Sequence, residues 1–79
     1  MTRDERNKLA QLKGEVKRAM NTLKSDALQI DGLPEWSDGR YLSTKVAAKV
    51  LDDAVLTCNF VLEILEGVLQ AIDNAEGRP

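Results

Sequence analysis

The residues best suited to chemistry gather in one stretch, EWSDGRYLSTK, at positions 35–45. Trp36, Arg40, Tyr41, Ser43, Thr44 and Lys45 bring together two of the three aromatics, two cations and two hydroxyls. At a helix N-terminus such a set suits an anion. Free backbone N–H groups and the helix dipole attract phosphate, and a guanidinium can fork onto it. Trp36 and Tyr41 can stack a base there, or they can plug the end of a hairpin and cap its core. The residues alone leave both roles open. A second constellation is basic: Arg6, Lys13, Lys17 and Lys24 fall within about 40° of one another on a helical wheel. This stripe either pairs with acids of a neighbouring helix, such as Asp52, Asp53, Glu63 and Glu66, or lines a cleft between protomers that holds an anion.

Catalysis is not expected. General acid–base work calls for His or a buried carboxylate pair, and covalent work for a nucleophile beside a base. The chain has no His, and its one cysteine, Cys58, lies in an apolar run. Asp52 and Asp53 are adjacent, so on a helix they point about 100° apart and cannot share a proton or a metal. Glu63 and Glu66 stand one turn apart and read as a solvated face. No phosphate loop, zinc spacing or calcium loop is present. No catalytic residue, metal ligand or cofactor is therefore assigned.

The elements that must position these residues are two helices. Thr2 followed by Glu5 has capping-box spacing. Leu9, Leu12, Val16, Ala19, Leu23, Ala27 and Ile30 then recur at steps of three and four, which predicts a helix over about 2–31. DGLPEWSDG ends it, with Gly32 suited to a left-handed cap and Pro34 unable to continue. After a loop over about 32–42, a second helix is predicted over about 43–74, with Asp38 and Ser43 as candidate caps and Gly77 and Pro79 closing the chain. Ala47, Leu51, Ala54, Cys58, Val61, Leu65, Val68 and Ile72 form its expected seam against the first helix. Each helix is roughly 45 Å long at 1.5 Å per residue. The fold class is all-α, a single domain over 1–79 built as an antiparallel two-helix hairpin.

The second helix is apolar on two sides. Its seam and the flanking Val50, Val55, Leu62 and Leu69 cover about 140°, wider than one partner helix fills. Leu56, Phe60 and Ile64 add a further stripe, with Val46 near it. Burying the three larger side chains contributes roughly 2 kcal/mol each. Monomers seldom leave such a patch wet. Val46, Leu56, Phe60 and Ile64 are therefore the expected interface of a homo-oligomeric helical bundle.

Composition bounds the setting. At 79 residues the chain is marginal alone unless stapled or oligomeric. One cysteine rules out an internal disulfide and fits a reduced thiol in the cytoplasm. Neither a leader nor an apolar segment of about 18 residues is read, so no export signal or membrane span is expected. Net charge is −2, split into a +4 arm over 1–24 and −6 over 25–79. That balance argues against bulk nucleic-acid binding but leaves small anions open.

AAKVLDDAVLTCNFVLEI, in the second helix, resembles the hairpin domain of small phage sponge proteins. Those proteins sequester the cyclic-nucleotide signals of the CBASS and Thoeris defences. The matching positions are Ala47, Leu51, Asp52, Asp53, Ala54, Val55, Asn59 and Leu62, within about 20 residues. Arg40 and Tyr41 resemble an Arg–aromatic pair that precedes the helix in some members, though they sit about two residues further upstream. The resemblance implies hairpins assembled into compact oligomers, with nucleotide pockets between protomers built from aromatic, cationic and hydroxyl side chains. On this chain the ligand-binding candidates are Trp36, Arg40, Tyr41, Ser43, Lys45 and Lys49. Lys49 departs from the pattern, because a hydroxyl residue often stands two places before the Leu-acid-acid-Ala run. The expected function is sequestration of a cyclic or phosphorylated nucleotide in the host cytoplasm. The alternative is a helical inhibitor or adaptor that docks on a larger protein. A Trp-x-Gly turn of the secreted-hairpin kind is a weaker match, since Gly follows Trp36 only at position 39.

Overall fold

The computed structural model describes residues 1–77. Two helices, α1 (Arg3–Asp31) and α2 (Thr44–Ala75), pack side by side as an antiparallel hairpin 57 × 18 × 17 Å in extent. Both starts are set by local chemistry. The Thr2 hydroxyl accepts from the Glu5 N–H at 3.2 Å, and the Glu5 carboxylate accepts from the Thr2 N–H at 2.9 Å. The Thr2 N–H foremost, with the Thr2 hydroxyl beside it, holds the Glu5 carboxyl below its ordinary pKa. At α2 the cap is Ser43, whose Oγ accepts from the Val46 N–H at 3.0 Å; Asp38 caps no helix. Gly32 ends α1 with φ −82°, in the right-handed region, so the expected left-handed cap does not form. Its N–H reaches the Ile30 and Leu28 carbonyls without needing glycine's freedom. Gly77, with φ 71°, does take the left-handed turn after α2. Pro79 lies outside the described residues.

Two ion pairs fix the register. Arg6 grips Asp73 through Nε and Nη2, both at 2.6 Å, and Lys13 Nζ lies 3.7 Å from Glu66. Position 6 is thus level with 73 and 13 with 66, which brings 20 level with 59 and 27 with 52. The bidentate bond to Asp73 raises the Arg6 pKa further. Pairing across the hairpin therefore accounts for Arg6 and Lys13 of the basic stripe. Asp73, the strongest of these partners, was absent from the expected acids.

The inward faces are rotated from the expected ones. In α2 the shielded positions 44, 48, 51, 55, 58, 62, 65, 69 and 72 alternate steps of four and three, with Ala54 and Asp73 half-buried beside them. Ala47, Val61 and Val68, expected in this seam, are exposed. In α1, Met20 and Lys13 turn inward in place of Ala19 and Leu12. The reason is the width of the apolar arc on α2. The expected and observed seams share Leu51, Cys58, Leu65 and Ile72, and at the alternate positions α1 packs on the larger Val55, Leu62 and Leu69 in place of Ala54, Val61 and Val68. Lys13 enters by laying its aliphatic stem inward and its ammonium outward.

The core is thin. Among the described residues the buried apolar side chains are Met20, Ala27, Ala48 and Leu69, and no large side chain is fully buried. The chain exposes 6062 Å², whereas a compact monomer of this mass exposes roughly 4,700 Å². The Cα radius of gyration is 17.7 Å against about 12 Å for a compact domain of this length.

α2 corrects one further expectation. It contains an 18-residue window that is long and apolar enough, by length and composition, to cross a membrane. A polar stripe runs along the same helix at seven-residue spacing: Lys45, Asp52, Asn59, Glu66 and Asp73. Acids at the middle of a bilayer are costly, by about 2.5–3.5 kcal/mol each on insertion scales.

Candidate functional site

The chemistry-bearing stretch forms a tight, self-bonded turn. Pro34 and Gly32 release the chain from α1, and Ser37 then bridges antiparallel to Ser43. The Asp38 N–H donates to the Leu42 carbonyl at 2.9 Å, and the Thr44 N–H donates to the Trp36 carbonyl at 3.0 Å. The Trp36 N–H donates in return to the Thr44 hydroxyl at 3.2 Å. Inside the loop a single oxygen, Asp38 Oδ1, accepts from the N–H groups of Arg40 (2.8 Å), Tyr41 (3.1 Å) and Leu42 (3.0 Å). These bonds, that from Arg40 foremost, hold the Asp38 carboxyl below its ordinary pKa. Gly39, with φ 77°, makes the reversal, a backbone region that costs an L-residue about 1–2 kcal/mol.

This network changes what the turn offers a ligand. The sequence pointed to free N–H groups at the start of α2. Those of Thr44, Val46 and Ala47 already donate, to the Trp36 carbonyl, the Ser43 hydroxyl and the Ser43 carbonyl. Those of residues 40–42 converge on Asp38, so the loop's own carboxylate fills the place an external anion would take. The cations are balanced as well: Lys45 Nζ lies 3.5 Å from Glu35, and Lys49 Nζ lies 3.8 Å from Asp53.

Of the six ligand candidates, Trp36, Ser43 and Lys45 come together. With Glu35, Ser37 and Thr44 they line an open recess of about 370 Å³. Arg40 and Tyr41 do not line it; they stand at the outer rim of the turn. Lys49 sits a turn further along α2. The aromatics do not plug the hairpin end, for Trp36 is 59% and Tyr41 84% exposed. A second groove, of about 480 Å³, opens along one edge of the hairpin between Lys24, Ala27, Leu28, Asp31, Asp52, Val55 and Leu56. Leu28, outside the expected seam, is its most exposed apolar wall. It lies one position from the seam residue Ala27, so its step pattern gave no signal.

The expected interface residues Val46, Leu56, Phe60 and Ile64 are all exposed on the lone hairpin. Leu56 belongs to the groove edge, and Ile64 to the opposite edge beside Val61 and Val68. Cys58 is a half-buried free thiol facing α1. Among the described residues no three His, Cys, Asp or Glu side chains converge to hold a metal ion. The chain matches no protein-family model, no curated protein and no solved structure. The likeness to the sponge hairpins therefore rests on the α2 residues themselves.

Proposed function

We propose that the chain is a non-enzymatic binding protein that works in the cytoplasm as a homo-oligomeric bundle of hairpins and docks on a protein partner through its turn. The observation that carries this reading is the turn itself. Its N–H groups at 36, 38–42, 44 and 46 donate within the turn, so it is pre-ordered, and Trp36, Arg40 and Tyr41 project from it. These three residue types dominate protein-binding hot spots. A convex, pre-ordered display of them costs little entropy on docking. The exposed area and the two-sided apolar α2 support self-assembly.

A second reading has its own support: sequestration of a cyclic or phosphorylated nucleotide between protomers. The recess beside Trp36, Ser43 and Lys45 has the volume of a small-ligand site and is open on one side, where a neighbouring protomer could close it. Thermal denaturation with a panel of cyclic di- and trinucleotides separates the two. A tight ligand stabilises by RT ln(1 + [L]/Kd), about 2.7 kcal/mol at one hundred times Kd. A rise of several degrees that Trp36→Ala or Lys45→Ala removes would establish sequestration. Under the docking reading no nucleotide moves the midpoint. A photo-crosslinking amino acid at position 41 then yields one discrete protein adduct in native cells, and Arg40→Ala abolishes it. A diffuse set of adducts unaffected by Arg40→Ala overturns docking through the turn.

A further inference from the structure

α2 carries a second complete seam. Positions 47, 50, 54, 57, 61, 64, 68 and 71 advance by alternating three and four, one residue behind the seam that faces α1. They hold three alanines, three valines, Thr57 and Ile64. Ala54, which touches both faces, is half-buried, and the rest are exposed. A repeat of 3.5 residues sustained over 25 residues is the pattern by which one helix meets another along its length. α1 already occupies the neighbouring seam, so this one has no partner within the chain.

We infer that the seam is filled by α2 of a second copy, running antiparallel about a two-fold axis level with position 59. This rests on the self-assembly proposed above and specifies its geometry. In an antiparallel pair, a-type positions pack against d-type positions. The register of greatest overlap sets 47 against 71, 50 against 68, 54 against 64 and 57 against 61. Sizes then match. Ala47 meets the partner's Ala71 at each end, which lets the helices close in. Val50 meets the partner's Val68, and the small Ala54 receives the large Ile64. The same pairs recur on the other side of the axis, so one surface complements itself, as a two-fold interface requires. Phe60 lies beside the seam, 62% exposed, and this register brings it against the partner's Phe60 on the axis.

A parallel pair fits worse. It stacks like on like, with Ile64 on Ile64 and Ala54 on Ala54, leaving a bulge and a gap one above the other. The area is also appropriate. Phe60, Ile64, Val46, Val50, Val61 and Val68, with Leu12 from α1, expose roughly 600 Å² per chain on this side. That is the upper end for the largest apolar patch of a monomer and most of the roughly 800 Å² per partner in a standard interface. The polar stripe Lys45, Asp52, Asn59, Glu66 and Asp73 lies on the other side of α2 and stays clear of the contact.

Cysteine cross-linking of the full chain tests the register. In a Cys58→Ala background whose helicity matches the parent, Thr57→Cys, a near-isosteric change close to the axis, is expected to give a covalent dimer with a short bismaleimide in high yield. Val46→Cys alone is expected to give none, since the antiparallel register separates the two copies of position 46 by 26 residues, roughly 39 Å. Mixed with Asn74→Cys, it is expected to cross-link. Efficient self-linking of Val46→Cys would mean a parallel pair and overturn the inference. An oligomer in sedimentation with no link at position 57 would mean another face, leaving self-assembly intact and this register wrong. A parent that sediments as a monomer at 100 µM would remove both readings.

Discussion

Replacing Phe60 by serine should separate assembly from hairpin folding. In the lone hairpin Phe60 is 62% exposed, which leaves roughly 130 Å² of apolar surface in water. At about 25 cal/mol per Å² its complete coverage contributes roughly 3 kcal/mol per chain, and roughly 6 kcal/mol in a two-fold dimer. Since 1.4 kcal/mol is tenfold, full coverage sets a ceiling of about four decades in Kd. Incomplete coverage lowers the effect, and a weakening of at least 100-fold is expected. The hairpin loses little, because this side chain faces away from α1. The assay is sedimentation from 1 µM to 1 mM together with melting by circular dichroism at each concentration. The parent's midpoint should rise with concentration by mass action. That of Phe60→Ser should be flat over the lower range while helicity at low temperature is unchanged. If Phe60→Ser assembles as the parent does, or the parent's midpoint ignores concentration, the reasoning from exposed area is wrong.

Leu69→Ala should act in the opposite sense, destabilising the hairpin itself. The side chain is 8% exposed at the core end near α1, and such truncations cost about 2–5 kcal/mol, a large share of the total stability of a domain this size; denaturant unfolding of the Phe60→Ser background measures it. Asp38 ties the turn through its ionised form. Its pKa is lowered in the folded state, so the stabilisation is fully present above the ordinary carboxylate value of about 3.9 and is lost as pH falls through the depressed folded value. Amide resonances of residues 40–42 should therefore shift together only in acid, and Asp38→Asn should abolish that shared transition. Gly39→Ala should cost about 1–2 kcal/mol in turn stability through φ alone, because an added Cβ meets nothing within 4 Å; a larger loss in melting would point to a contact the geometry lacks. Arg6→Ala should lower the midpoint and reduce its salt dependence by leaving Asp73 without its bidentate partner, which melts at two ionic strengths will show.

By itself the sequence determined what depends on neighbours within one turn. The Thr2–Glu5 box, the Ser43 cap, the break at Gly32 and Pro34 and the two helix lengths were all legible, because capping and periodicity act over three or four residues. Tertiary structure decided what depends on the other helix. The hydrophobic arc of α2 contains two seams a residue apart, and local pattern cannot say which one α1 takes. α1 takes the face with the larger Leu62 and Leu69, the ion pairs of Arg6 with Asp73 and Lys13 with Glu66 form on that register, Met20 turns inward, and Val61 and Val68 stay in water. The turn shows the same division. Its residue types invited an anion, but only the folded loop directs Asp38 onto the N–H groups of residues 40–42 and occupies the place where that anion would bind.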